Sequence, residues 1–264
     1  MNLTNKRILL TGATGGVGSI VAKLLVEKGA ALALVGRDVR KLDSLKASIE
    51  KPENKVVTIQ CDLSEENAPR HIAKCVQNSL GEIDILINNA GTLDFTALEA
   101  QSEDRIAEVI NTNVTSLIQL TRHFLPLFQK KNSGHFLFVG SIFGSLGFPH
   151  YATYCASKFA VHGFSQALRR ELVETKVGVS YIAPRGIKTP MNKANVVAMF
   201  KKTGNKMDLP ERVAEIIVRS LEKEKQEVFI GQPQSFFAWL NGVTPKVVNI
   251  GLKKQAAIAK EFLK

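Results

Sequence analysis

Residues 8–18 read ILLTGATGGVG, a short apolar run followed at once by a glycine-rich loop. The run predicts a buried strand, and the loop predicts a tight turn into a helix. Gly12, Gly16 and Gly18 permit a tight turn, and they let a backbone approach a ligand closely. Because the N-terminus of a helix favours negative charge, this strand, loop and helix predict a phosphate-binding turn of an α/β fold.

The rest of the chain alternates short apolar runs with longer amphipathic stretches, a pattern typical of a parallel sheet with helices on both faces. Further strands are predicted at residues 31–35, 55–61, 83–88, 134–140, 178–183 and 226–230. Helices are predicted from the glycine loop to about Lys28, over residues 38–49, 66–80, 103–115, 115–129 and 152–175, and after Asp208 as an N-cap. We therefore expect a doubly wound, mainly parallel α/β domain over residues 1–233 and an amphipathic helical extension over residues 234–264.

The composition is that of a globular protein, with 45% hydrophobic and 22% charged residues. The N-terminal segment has no long apolar stretch of the secretory kind, and the three cysteines have neither paired nor metal-ligand spacing. We therefore expect a cytoplasmic protein without a metal site. The net charge of +11 is compatible with nucleic acid, an anionic membrane surface or an acidic carrier. No nucleic-acid-binding motif accompanies this charge, so nucleic acid is not an expected partner.

A second motif carries the candidate chemistry. Tyr154 and Lys158 are four residues apart, so they lie on one face of the predicted helix. An ammonium favours a phenolate, so Lys158 is expected to lower the pKa of Tyr154 from its ordinary value of about 10 and make it a usable acid. Ser141 lies upstream and, taken alone, fits a turn residue equally well. Tyr151 has Cys155 four residues on instead of a cation, so it is predicted to pack or to form a wall of the substrate site.

With these motifs in place, residues 7–231 resemble the short-chain dehydrogenase/reductase family, whose members have a single Rossmann domain. The resemblance implies hydride transfer between nicotinamide and a carbonyl carbon, with Tyr154 as proton donor or acceptor. It implies that Ser141 orients the carbonyl and that Lys158 also holds the nicotinamide ribose. It further implies that Asn113 holds a water that links Lys158 to bulk solvent.

The resemblance also implies the cofactor-binding residues. They come from the glycine loop, from the ends of later strands and from the segment that meets the nicotinamide carboxamide: Gly12, Thr14, Gly16, Val17, Gly18, Arg37, Asp62, Leu63, Asn89, Ala90, Gly91, Tyr154, Lys158, Pro184, Ile187 and Thr189. Asp62 is the implied contact with adenine. Arg185 departs from the pattern, because it stands where the family usually has glycine.

The end of the second strand indicates the choice of cofactor. Enzymes that use NAD usually place a carboxylate there for the ribose 2′-hydroxyl, whereas this chain has Gly36 and Arg37. A guanidinium can pair with a 2′-phosphate through charge-assisted hydrogen bonds, which favours NADP(H). Asp38 is the opposing signal, although its position before a helix also suits an N-cap.

The substrate is indicated only by class. The loop expected to cover it, residues 191–207, mixes apolar residues with four lysines. This composition favours an apolar or lipid-like carbonyl or secondary alcohol. The lysines leave a 3-oxoacyl-carrier reductase as an alternative, and a non-catalytic NADP-binding sensor is a third. The family resemblance further implies a homodimer or homotetramer, with contact through the helices that carry Asn113 and Tyr154.

The segment from Gln234 onward extends past the usual end of this fold and opens with aromatic residues. From Pro245, helical spacing gathers the lysines on one arc, opposite an apolar face that comprises Val247, Val248, Leu252, Ile258, Phe262 and Leu263. Five lysines and one glutamate give this segment a net charge of +4, which is typical of a helix on an anionic bilayer. Two alternatives stay open: residues 245–264 contact a membrane peripherally, or their apolar face packs on the protein or across a dimer.

Overall fold

The computed structural model of the chain describes residues 1–263, and within that range seven strands form one sheet. The strands are β1 (Arg7–Thr11), β2 (Ala31–Gly36), β3 (Val56–Gln60), β4 (Ile85–Asn88), β5 (Gly134–Val139), β6 (Val177–Pro184) and β7 (Glu227–Ile230). Their order is β3-β2-β1-β4-β5-β6-β7, and every neighbouring pair is parallel. The winding direction reverses between β1 and β4, and ligands of open α/β sheets bind outside the carboxyl ends of the strands at such a point.

Helices connect successive strands, and two further helices follow the last strand. They are α1 (Gly18–Glu27), α2 (Val39–Ile49), α3 (Ala68–Leu80), α4 (Glu103–Ile110), α5 (Ser116–Lys131), α6 (Ala152–Glu171), α7 (Ala194–Lys202), α8 (Pro210–Glu222), α9 (Gln234–Val243) and α10 (Pro245–Lys260). A π-helical segment, Asn111–Thr115, joins α4 directly to α5. The predicted α/β class and the doubly wound sheet are thereby confirmed.

Successive side chains of the strands point to opposite faces of the sheet, and each face has its own hydrophobic core. Ile8 and Leu10 of β1 pack in a core with residues of α1 and α8, whereas Leu9 packs in a core with residues of α3, α5 and α6. All three are fully buried. This burial on both faces explains why the central strands read as continuous apolar runs rather than as alternating ones.

The structure confirms the helix predicted after Asp208, with Pro210 in its first turn, but corrects its predicted cap. The N-cap position of α8 is Leu209, and it provides no side-chain cap. The carboxylate of Asp208 instead accepts hydrogen bonds from Arg185 and Arg212. The prediction was wrong because an ion pair between distant segments leaves no mark in the local sequence. The helix α7, inside the predicted covering loop, was not predicted either.

The C-terminal extension folds as two helices rather than one. α9 ends at Val243, and Pro245, which lacks an N–H group, begins α10. Part of the predicted apolar face of α10 packs on the protein, as in the second of the two alternatives: Val248 is buried, and Leu252 and Phe262 are partly buried against hydrophobic clusters. Asn195 of the covering segment also donates a hydrogen bond to the carbonyl of Phe262, whereas Val247 of the same face is half exposed. Lys264, counted in the predicted lysine arc, lies outside the described residues. Within residues 1–263, no helix is both long enough and apolar enough to cross a bilayer.

Candidate active site

A cleft of about 780 Å³ lies at the carboxyl ends of the central strands. It takes residues from the loops that follow β1 to β6, because parallel strands present these ends at one edge. Ser141, Tyr154 and Lys158 line the cleft, and so does every residue predicted to bind the cofactor: Gly12, Thr14, Gly16, Val17, Gly18, Arg37, Asp62, Leu63, Asn89, Ala90, Gly91, Pro184, Ile187 and Thr189. Asn113 lies behind the cleft wall and does not line it.

The glycine loop is packed too tightly for side chains. Gly12 has a φ of 64°, and a Cβ atom on Gly18 would lie 2.2 Å from the carbonyl oxygen of Gly12. A Cβ atom on Gly16 would lie 2.8 Å from Cγ2 of Thr189. No side chain caps the N-terminus of α1, so N–H groups of its first turn, apart from that of Ser19, which bonds to the Gly15 carbonyl, remain available to an anion in the cleft. The loop therefore fits the pyrophosphate of a dinucleotide.

Thr11 and Asn89 hold the glycine loop against the end of β4. The hydroxyl of Thr11 accepts hydrogen bonds from the N–H groups of Asn89 and Ala90, each at 3.1 Å. The Asn89 amide donates to the carbonyls of Thr11 at 3.1 Å and Gly12 at 3.2 Å. These bonds fix the loop on the two strands that flank the reversal of the sheet.

At the far end of the cleft, the residues after β2 present positive charge. Arg37 is exposed, and its Nη1 lies 3.8 Å from a carboxylate oxygen of Asp62. Asp38 accepts a hydrogen bond from the N–H of Lys41 at 3.2 Å, so its interpretation as the N-cap of α2 is confirmed. Lys41 also lines this end of the cleft and was missed by the sequence analysis. Its place three residues after the cap, on the first turn of α2, was the available signal.

Tyr154 and Lys158 project from α6 toward the end of β5. The Lys158 ammonium donates a hydrogen bond to the Val139 carbonyl at 3.1 Å and lies 5.8 Å from the centre of the Tyr154 ring. The Ser141 hydroxyl accepts a hydrogen bond from the N–H of Phe143 at 3.1 Å, at the start of the 3-10 turn Ile142–Gly144. Ser141 is thus a turn residue and also lines the cleft beside Tyr154.

Burial sets the protonation of these groups. It raises the pKa of Tyr154 to about 12, against the lowering effect of a hydrogen bond with Ser141. Burial also lowers the pKa of Lys158 to about 8. The predicted lowering of the Tyr154 pKa by Lys158 does not hold for the protein alone, because desolvation is the largest effect on Tyr154 and the Lys158 ammonium donates its hydrogen bond to the Val139 carbonyl. At neutral pH Tyr154 is a protonated phenol, the form that can donate a proton.

The π-helical segment between α4 and α5 positions Asn113, whose side chain is buried and fully hydrogen-bonded. Its Oδ1 accepts from the N–H of Thr92 at 2.8 Å, and its Nδ2 donates to the Thr92 carbonyl and the Ser157 hydroxyl, each at 2.9 Å. The side chain therefore links the segment after β4 to α6, next to Lys158. Single π-helical turns inside helices frequently occur at functional sites.

Tyr181 of β6 contacts the backbone of Ser141, and the sequence did not identify it as a residue of the site. Its hydroxyl donates to the Ser141 carbonyl at 3.2 Å. A Cβ atom on Gly140 would lie 2.2 Å from the Tyr181 ring, so glycine there makes room for the phenol. The His162 ring stacks on the Tyr181 ring, and the two ring centroids are 4.4 Å apart. No local pattern signals these contacts, since they join separate elements.

The side chain of Arg185 joins the segment after β6 to two later segments of the chain through hydrogen bonds. It forms two hydrogen bonds of 2.9 Å to the carboxylate of Asp208 and donates to the Gln232 carbonyl at 2.8 Å. Backbone hydrogen bonds join Gly186 and Lys188 to Asp208 on the same side. These contacts fasten the two ends of the covering segment, residues 191–207, to each other and to the chain before α9.

The outer part of the cleft is apolar. Four aromatic rings cluster here, from Phe143, Phe148, Tyr151 and Tyr154, with neighbouring centroids 5.2 to 6.4 Å apart. Tyr151 therefore forms part of the wall, and its buried hydroxyl has no hydrogen-bond partner among the described residues. The covering segment and the C-terminal helices complete this part with residues that no motif identified: Met191, Phe200, Phe237, Leu240, Val247, Val248 and Leu252.

Comparisons with known proteins agree with this geometry. The ketoacyl reductase HetN of Nostoc is 30% identical over 87% of this chain and 80% of its own length. A metagenomic short-chain oxidoreductase solved with NADP is 26% identical, covers 87% of this chain and 98% of its own, and has a TM-score of 0.73. A Burkholderia phymatum enzyme solved with NAD shares the fold at a TM-score of 0.82 and 21% identity, covering 94% of this chain and 96% of its own. The family described as short chain dehydrogenase matches residues 6–198, and the chain therefore belongs to the short-chain dehydrogenase/reductase family of oxidoreductases, which act on CH–OH and C=O groups.

Proposed function

We propose that the chain uses NADP(H) to transfer a hydride between nicotinamide and a carbonyl or secondary alcohol of an apolar substrate. The observation that carries the proposal is that one cleft joins the glycine loop, the cations after β2 and the Ser141, Tyr154 and Lys158 side chains to an apolar outer chamber. The phosphate end is formed by backbone N–H groups and the reacting end by buried polar groups, as a dinucleotide beside a carbonyl requires.

Nicotinamide, when bound, supplies or accepts the hydride. In reduction, the hydroxyls of Ser141 and Tyr154 hydrogen-bond the carbonyl oxygen, and the Tyr154 hydroxyl donates its proton as negative charge develops there. The phenolate left behind is stabilised by the Lys158 ammonium, which is charged below a pH of about 8. Oxidation of an alcohol runs these steps in reverse. Lys158 also holds the nicotinamide ribose in this proposal. The hydrogen bonds of Asn113 hold the segment after β4 against α6, which carries Lys158.

The preference for NADP(H) rests on the charge at the far end of the cleft. Arg37 and Lys41 are the two cations there, and Asp38 is engaged as the cap of α2. A 2′-phosphate would find charge-assisted donors at this position. Solved structures of similar fold contain NADP or NADPH in several cases and NAD in one, so the cations of this chain carry the argument.

A 3-oxoacyl-carrier reductase is the second candidate. Lys206 lines the outer cleft, and the covering segment carries three further exposed lysines, which an acidic carrier could contact. The relative HetN is named a ketoacyl reductase. A non-catalytic NADP-binding sensor would leave the cluster of Ser141, Tyr154 and Lys158 without a purpose.

We further propose that the protein is cytoplasmic, forms a homodimer or homotetramer, and contacts a membrane peripherally through its C-terminal helices. Phe159, an exposed apolar side chain on the Tyr154 helix α6, supports the assembly. Light scattering at micromolar concentration tests it, and a monomer alone would contradict it.

The reaction is tested by following NADPH oxidation across ketones, aldehydes and 3-oxoacyl thioesters. We expect turnover with apolar ketones. Higher kcat/KM for carrier-linked 3-oxoacyl thioesters would select the second candidate. Tight NADPH binding without turnover of any carbonyl would identify a sensor and overturn the proposal.

A further inference from the structure

Exposed apolar side chains of α9 and the start of α10 form a surface that we call the rim patch: Phe236, Trp239, Val243, Val247 and Ile250. The three residues from Phe236 to Val243 share one face of α9. Val247 and Ile250 share one face of α10, which packs against α9. The rings of Phe236 and Trp239 are 5.8 Å apart. Trp239 is 62% exposed and Ile250 is 69% exposed, so nothing in the described chain covers the patch.

The rim patch adjoins the mouth of the cleft. Val247 belongs to both, since it lines the cleft and is half exposed. Phe237 and Leu240, which alternate with the patch residues along α9, also line the cleft. An object bound at the rim patch would therefore lie at the entrance to the apolar chamber.

The charged residues of the two helices that carry the rim patch have one sign. Residues 234–260 contain four lysines and no aspartate or glutamate. Lys246, Lys253 and Lys254 are exposed on α10, and the whole chain carries a net charge of +11. A second copy of the chain, placed symmetrically on this patch, would bring the same positive charge against it. A bilayer with anionic headgroups offers apolar depth and opposite charge together.

We propose that the rim patch docks on an anionic bilayer, so that an apolar carbonyl substrate enters the cleft directly from the membrane. The entry of substrate rests on the proposed function, whereas the docking does not. The docking surface differs from the one that the sequence suggested, because Val248, Leu252 and Phe262 of the predicted apolar arc of α10 pack on the protein. α9, with its aromatic residues, supplies most of the contact, and α10 supplies the flanking lysines.

Trp239 provides the measurement, because it is the only tryptophan of the chain. The full-length protein is mixed with vesicles of phosphatidylcholine alone or with added phosphatidylglycerol. We expect the Trp239 emission to shift to shorter wavelength only with the anionic vesicles, to be quenched by brominated lipids, and to recover when salt is added.

Val243→Glu and Val173→Glu make a matched pair, since both place the same charge on an exposed valine outside the cleft, the first in the rim patch and the second just after α6. We expect Val243→Glu to weaken binding to anionic vesicles about tenfold and Val173→Glu to leave it nearly unchanged. With NADPH, Val243→Glu should lower kcat/KM for a ketone dissolved in the vesicles but not for a small water-soluble ketone.

Unchanged Trp239 emission with anionic vesicles would overturn the docking, and so would equal binding to neutral vesicles. A concentration-dependent dimer that Val243→Glu dissociates, without vesicle binding, would show that the patch contacts a second copy. If vesicles are bound but no carbonyl is reduced, the proposed function fails and the docking stands. If both hold but Val243→Glu affects the two ketones equally, substrate entry from the membrane is excluded.

Discussion

Tyr154 and Lys158 share an environment that favours the neutral form of each. Burial raises the pKa of the phenol to about 12 and lowers the pKa of the ammonium to about 8. The four-residue spacing correctly placed both side chains beside the cleft, but it did not predict the sign of the change at Tyr154. Spacing along a helix fixes which side chains are neighbours, whereas the desolvation of each depends on elements that pack around them.

Removing the Tyr154 hydroxyl tests its proposed role as proton donor. We expect Tyr154→Phe to lower kcat about a thousandfold, because general acid catalysis is lost while the ring remains, and to leave the Kd of NADPH nearly unchanged. Tyr151→Phe is the matched control, since it removes a hydroxyl from the same aromatic cluster. Steady-state kinetics and NADPH fluorescence titration measure the two quantities. A Tyr154→Phe variant with most of the original kcat would show that another group donates the proton.

The charge of Lys158 should appear in the pH profile of reduction. Because its pKa lies at about 8, the ammonium that stabilises the Tyr154 phenolate is lost as the pH rises through that value. We expect kcat for carbonyl reduction to fall above a pH of about 8, while Tyr154 itself stays protonated in this range. Lys158→Met should have a low kcat, and its kcat should not fall further above a pH of about 8. The same fall in the variant would assign the titration to a different group.

Arg37 is expected to determine the choice of cofactor. Arg37→Ala removes the exposed guanidinium at the far end of the cleft and should raise the KM for NADPH about tenfold, the loss of roughly one charge-assisted hydrogen bond, with little change for NADH. Arg40→Ala is the matched control, because Arg40 is exposed nearby but does not line the cleft. Equal use of NADPH and NADH by the unmodified protein would contradict this prediction.

Among the elements, those with a strong internal pattern were predicted closely and those defined by distant contacts were not. Asp38 caps α2 through a bond to a residue three positions on, so the local sequence reveals it. Asp208 has the same appearance in the sequence, yet its carboxylate pairs with Arg185, 23 residues away along the chain. α9 was missed as a separate helix, since its apolar residues cover the cleft and form an exposed patch rather than one buried stripe.

The pair of Arg185 and Asp208 is the element-scale feature that we expect to affect stability most. Both side chains are largely buried, at 9% and 3% exposed, so removing the cation leaves a buried carboxylate without its bidentate partner. We expect Arg185→Met to lower the free energy of unfolding by about 3 kcal/mol. Chemical denaturation measures this difference.

Arg212 provides the control for Arg185, because it bonds the same carboxylate at 3.0 Å from a side chain that is 60% exposed. Arg212→Met should change the free energy of unfolding by no more than about 1 kcal/mol, since an exposed ion pair contributes little. If both variants lost the same stability, the buried Arg185 would contribute no more to stability than the exposed Arg212.

For the whole molecule, the order of the strands explains why the motif residues could be assigned to one site before the structure was known. The glycine loop, Arg37, Asp62, Asn89 and Ser141 follow strands closely, and parallel strands bring their carboxyl ends to the same edge. The outer chamber could not be assigned in this way. It is built from the covering segment, α9 and α10, whose contacts with the cleft depend on how the chain returns after β7. The part of the site that selects the substrate is therefore the part that the sequence described least.

Acid stability is a property of the whole fold, and we expect His135 to contribute to it. His135 is buried in β5 with its Nε2 at 2.8 Å from the Ser180 hydroxyl, and burial lowers its pKa from 6.5 to about 4. As the pH falls from 6.5 to 4, the unfolded chain binds a proton at this residue and the folded chain does not, so stability is lost across this window. His135→Gln keeps a side-chain donor near Ser180 but cannot titrate. We expect the free energy of unfolding of the unmodified protein, measured relative to this variant, to decline across the window and to be constant above it; an equal decline in both proteins would show that other groups govern acid unfolding.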